Sequence, residues 1–173
     1  MKRLPRLPGG KRERLPPIVK ATTPEQTDQR SALEIRFAQA LDDEKLARKL
    51  VKLQAKFPVA TLPELVAYEW LQRRNIPFSF QVELFGGRRV RGGLLPDFVI
   101  EQGATALAWQ IQGEYWHSVG LKDDADRTNN LRMLGQVVDG RRIEQVVELW
   151  ENDIYQKRPQ VFNMGLAGIG MRQ

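Results

Sequence analysis

The stretch "ALAWQIQ", Ala106 to Gln112, constrains the fold more than any other part of the chain. It is apolar on both faces up to Gln110. A strand of that kind needs cover above and below, which places it centrally in a sheet. Its neighbours fit that position. A turn at Gln102–Gly103 joins it to "LLPDFVI", read as the preceding strand. Before that, "FSFQVELF" alternates Phe78, Phe80, Val82 and Leu84 against Ser79, Gln81 and Glu83, the period-two pattern of a half-buried strand. The Gly-flanked "GGRRVRGG" forms the turn between them.

Helical signals surround these strands. "TLPELVAYEWLQRR" begins with Thr61 and Glu64 at capping-box spacing, and Pro77 prevents its continuation. Asp123 and Asp124 open "DDADRTNNLRML", which ends near Gly135, their charge complementing the helix dipole. "RRIEQVVELW" supplies a fourth strand and "ENDIYQ" a short helical turn before Pro159. The order α-β-β-β-α-β predicts an α/β core over 59–158, a mixed sheet flanked by helices. Ahead of it, 23–58 reads as an accessory helical hairpin. Its first helix starts at Thr23–Pro24 and carries Leu33, Phe37 and Leu41. Its second carries Leu46, Leu50, Leu53 and Phe57 and stops at Pro58. Residues 159–173 form a Gly/Met-rich tail without periodicity, expected either to dock on a neighbour or to hang loose.

Residues 1–22 form a Pro/Gly-rich arm, expected to be extended. Charge singles it out. Seven Lys/Arg against Glu13 give it 7 − 1 = +6, the net charge of the whole 173-residue chain. An arm with Lys2, Arg3, Arg6, Lys11, Arg12 and Arg14 suits phosphate contacts, or serves as a solubilising tail. No apolar run approaches the ~20 residues of a membrane span. The arm lacks the apolar segment of a secretory signal. With no cysteine there is no disulfide and no thiolate zinc site, which fits a reducing, cytoplasmic setting.

Chemistry concentrates where two strands meet. In a hairpin the end of the third strand lies beside the start of the second, so Asp97 and Gln110–Gln112 should converge at one edge of the sheet. A carboxylate, amides and a backbone carbonyl make an oxygen-rich site suited to Mg²⁺ or Mn²⁺. His117, the only histidine, follows closely.

These residues resemble the PD-(D/E)xK nuclease superfamily, and more closely the very-short-patch-repair endonucleases. The resemblance rests on Glu64 in "TLPEL", Asp97 in "LPDFVI", "GEYWH" from Gly113 to His117, Asp124 and Arg127 as D-x-x-R, and "VVELWENDI". It spans roughly residues 60–155, in the same order. It implies a restriction-endonuclease-like core and metal-dependent DNA cleavage. Asp97 would be the central metal ligand and Ile111 would lend its main-chain carbonyl. Gln112 stands where the repair enzymes have histidine and the wider superfamily lysine. His117 would be an active-site histidine, and Glu64 would reach a metal-bound water. Gln110 stands where the superfamily usually has a carboxylate. Glu114 replaces a zinc-binding cysteine, so no structural zinc is expected. Arg88, Arg89 and Arg91, with the arm, would hold the DNA backbone.

Blander roles exist for the same residues. Glu64 could only close a capping box, Asp97 could be a turn residue, His117 a structural histidine, and Asp124–Arg127 a surface pair. Two glutamines where the superfamily keeps charge point to an alternative: a catalytically weakened or inactive nuclease-fold protein that binds DNA or proteins, as in a phage or mobile-element assembly. An RNA-binding role lacks any RNP-like aromatic motif.

Overall fold

The structure, a computed structural model, describes residues 31–113 and 123–170. The arm and the Thr23 helix start lie outside them. Five strands make one mixed sheet: β1 (Phe78–Phe80), β2 (Phe98–Gln102), β3 (Thr105–Gln112), β4 (Val137–Val138) and β5 (Arg141–Trp150). Their order is β1-β2-β3-β5-β4, antiparallel except for the parallel β3–β5 pair. The helices are α1 (Ala32–Leu41), α2 (Glu44–Lys56), α3 (Leu62–Arg73), α4 (Asp123–Met133) and α5 (Glu151–Leu166).

β3 is central, as its composition requires, and its alternate residues enter two cores. Leu107 and Trp109 face the larger one, with Phe37 and Leu50 of α1 and α2, Trp70 of α3 and Phe162 of α5. Ala106 and Ala108 face the smaller one, with Val99, Ile143 and Met133 of α4. The small side chains on this second face let the sheet curl around it. The curl brings the two edges together, where Ser79 Oγ of β1 donates to Asp139 Oδ2 beside β4 at 2.7 Å. The α4 face is thus concave.

Local chemistry sets the helix ends. Ser31 and Asp43 cap α1 and α2 by accepting from Glu34 N and Leu46 N. The capping box expected of α3 does not form, because Thr61 makes no side-chain cap bond and Glu64 turns to another partner.

Three segments differ from the sequence reading. Only residues 78–80 of the expected first strand hold β geometry, because Gln81 turns left-handed at φ 52°. The chain rejoins the sheet through one bridge, Leu84 to Leu94, around a turn containing a 3-10 segment at Gly87–Arg89. Gly93 is required there, since a Cβ would overlap the Gly87 carbonyl. Ahead of the expected fourth strand, Val137–Val138 form a further strand that pairs with β5 through a turn at Asp139–Gly140. Both of these are at positive φ, 49° and 77°, as Asp-Gly hairpin turns demand.

The third difference is α5, which continues past Pro159 to Leu166. Proline lacks an N–H and crowds the carbonyl four residues back, so the helix breaks at Lys157 (φ −131°, ψ 31°) and resumes. Val161 and Phe162 of the supposed tail are fully buried because the second half packs on the core. Residues beyond α5 then run beside the outer edge of β5, where Gln145 Nε2 donates to the Gly168 carbonyl and Gly170 lies against the Glu148 backbone.

Gly165 is the tightest contact of α5 with β3. Its carbonyl accepts from Trp109 Nε1 at 3.1 Å, and a Cβ there would stand 3.0 Å from Trp109 Cζ2 and 3.2 Å from Leu149 Cδ2. Gly165→Val should therefore cost about 1–3 kcal/mol by overpacking, read as a lower denaturant midpoint at an unchanged m-value.

Candidate functional site

Chain direction gathers the chemistry-bearing residues at one end of the sheet. β1 and β3 finish there, β2 begins there, and β5, parallel to β3, finishes there too. Gln81, Asp97, Gln112 and Glu151 follow or precede those strand ends. Glu64 joins them from the first turn of α3.

Asp97 is half-buried just before β2, and its Oδ2 accepts from the Ile111 amide of β3 at 2.6 Å. The N–H and C=O of an extended residue lie on the same side of its strand, so the Ile111 carbonyl is also on the β2 side of β3. The predicted convergence of Asp97 with Ile111 is therefore present. The contact is with the N–H, which supplies a positive dipole to the carboxylate. The Asp97 carbonyl accepts from Gln81 N at 2.9 Å.

Glu64 is 8% exposed, and its Oε2 accepts from Gln81 Nε2 at 3.0 Å. Gln81 thus ties the α3 acid and the Asp97 backbone together. Its left-handed turn makes this geometry, and period-two reading of 78–85 concealed it. Gln110 reaches toward α4, with Nε2 3.5 Å from the Leu95 carbonyl and 3.6 Å from Met133 Sδ. Gln112 ends β3 in register with Trp150. His117 lies outside the described residues, as do Lys2, Arg3, Arg6, Lys11, Arg12 and Arg14 of the arm.

Two further carboxylates of this region have no site role assigned by the sequence. Glu148 of β5 accepts from Asn130 Nδ2 of α4 at 2.6 Å. Glu151 opens α5, with Oε2 3.4 Å from where a Cβ of Gly113 would stand and Oε1 accepting from Tyr155 Oη at 2.7 Å. Burial, then the bond to Glu151, raises the Tyr155 hydroxyl far above the usual phenol range, so it stays a donor. Both lie inside "VVELWENDI", but that motif assigns neither a site role, since cross-strand register decides what each one faces.

The donors at this end are oxygens: carboxylates, side-chain amides and main-chain carbonyls. That set fits Mg²⁺, a hard cation that takes one or two carboxylates and retains waters. Among the described residues no three His, Cys, Asp or Glu side chains gather into a metal-holding group, so a fit rests on one or two carboxylates with the main chain.

The arginine turn adjoins the same concave face. Arg89 and Arg91 are exposed, and Arg88 shares their turn. Arg132 of α4 pins it: Nη2 donates to the Gly92 carbonyl at 2.6 Å and the guanidinium lies 5.0 Å from the Phe85 ring centroid. A separate open hollow of about 430 Å³, lined by Phe57, Tyr68, Gln72, Asn75, Phe78 and Phe80, contains no acid. Among the described residues no helix is long and apolar enough to cross a membrane. Comparison with family models, curated proteins and solved structures finds no match.

Because Arg132 is exposed, Arg132→Ala should cost only about 1 kcal/mol or less in global stability. Amide exchange across 84–94 should nonetheless accelerate. Unchanged exchange would mean that the turn is held by its own backbone bonds alone.

Proposed function

We propose that this protein is a metal-dependent DNA endonuclease of the PD-(D/E)xK type, with a restriction-endonuclease-like core. The observation that carries the reading is the 2.6 Å contact between Asp97 and the Ile111 main chain, at the sheet end that Glu64 reaches through Gln81. Asp97 and the Ile111 carbonyl would hold Mg²⁺ or Mn²⁺, which supplies Lewis-acid polarisation of the scissile phosphate. The protein's own groups do the positioning. Gln112, an amide without charge, orients water or a phosphate oxygen and cannot take a proton. Glu64, fixed by Gln81, orients water from the α3 side. His117 carries the proton, a role suited to a group titrating near neutrality. Arg88, Arg89 and Arg91, with the basic arm, grip the phosphate backbone, so binding weakens steeply with salt. The DNA substrate and the cysteine-free composition fit a cytoplasmic setting.

The second reading, a nuclease-fold protein that binds DNA or a phage or mobile-element partner without cutting, is favoured by Gln110. Its amide is turned toward Leu95 and Met133, at the place where the superfamily keeps a carboxylate.

Plasmid incubated with Mg²⁺ or Mn²⁺ separates the two. The wild-type chain should nick it, and Asp97→Ala should slow nicking at least roughly 100-fold. Equal nicking by both proteins, or none from either, removes the endonuclease reading. Salt-dependent DNA binding without nicking leaves the second.

A further inference from the structure

The register of the sheet places an acid where the strand sequence lacks one. Phe98 of β2 faces Trp109 of β3, so Asp97, one residue earlier, stands opposite Gln110. In the parallel pair Gln110 is in turn aligned with Glu148 of β5. Asp97, Gln110 and Glu148 therefore form one row across three adjacent strands. They share a face. Gln110 contacts Met133 and Glu148 contacts Asn130, both in α4, while Asp97 alternates with Phe98, which belongs to the opposite core. That face is the concave one, where curl brings side chains on separate strands toward each other. Glu148 is half-buried, and Asn130 holds its Oε1 at 2.6 Å, which restricts its rotamer.

We infer that Glu148 supplies the second carboxylate of the site, in place of the one absent from β3 at Gln110, and that Asn130 positions it. The inference rests on the metal-dependent reading of Asp97. A cation held by Asp97, opposite the neutral amide of Gln110, gains a second anionic oxygen donor when Glu148 faces it across the row, within the one or two carboxylates that Mg²⁺ takes. The donation is direct or through a retained water, and Asn130 leaves Oε2 of Glu148 to make it. A surface acid held only to decorate α4 would have no effect on metal affinity.

The test is Mn²⁺ titration calorimetry on the full chain, with no DNA present, comparing the wild type with D97N, E148Q and E144Q. Glu144 is an exposed acid of the same strand and serves as the charge control. Gln at 148 keeps the acceptor for Asn130, so the thermal midpoint should hold. The expected result is a fall in Mn²⁺ affinity of roughly 10–100-fold in E148Q, a comparable or larger fall in D97N, and none in E144Q. If D97N loses Mn²⁺ while E148Q binds as the wild type does, the Glu148 role is overturned and the Asp97 reading stands. If the wild type binds no Mn²⁺, both fall. Should E148Q unfold, the wild type decides alone. Mg²⁺ titration should shift the Glu148 side-chain carboxyl ¹³C resonance in step with that of Asp97 and leave Glu144 in place. An unmoved Glu148 resonance overturns the proposal.

Discussion

The parallel pairing of β3 with β5 is the constraint on which the rest depends. Parallel neighbours cannot be joined by a tight turn, so the chain must leave the end of β3, cross one face and return. α4 lies in that crossing, and its position covers the second face of β3. The same pairing puts the carboxyl ends of β3 and β5 side by side. Antiparallel β2 then begins, and β1 ends, at that same edge of the sheet. Oxygen-bearing residues far apart in sequence meet there because of strand direction alone.

Much of this was legible wherever one residue type had only one physical solution. Ala106, Ala108, Leu107 and Trp109 are apolar on alternate faces, which required a buried central strand, and they sit in two separate cores. Asp97 preceding an apolar strand required a partner, and the Ile111 amide is one. The failures came where tertiary context overrides local pattern. Phe78 to Leu84 keeps strand periodicity while Gln81 breaks the strand to serve Glu64 and Asp97. Pro159 signals a helix end, but burial of Val161 and Phe162 outweighs the broken turn. Asp139–Gly140 carries the Asp-Gly hairpin signal, and it joins β4 to β5. The partners of Glu148 and Gln81 had no local signal, since tertiary placement, not neighbouring sequence, decides what they face.

The electrostatics of the site follow from that register. β3 brings two neutral amides to an edge where an acid also stands at the strand before it and another at the strand after it. A central strand pays heavily for buried charge, whereas its flanking strands have polar neighbours to receive it: the Ile111 amide for Asp97 and Asn130 for Glu148. Moving anionic oxygens off β3 leaves that strand neutral at its end, with the acids distributed to either side.

The strip of chain after α5 has a protective consequence. β4 pairs with Arg141 and Arg142, and among the described residues no strand pairs with the rest of β5's outer edge. An unpaired edge of that length is a template for another chain's strand. Gln145 holding the Gly168 carbonyl, and Gly170 lying beside the Glu148 backbone, place a plug of irregular chain along it. Chain lying along an edge in this way leaves less of it open as a template for a second sheet.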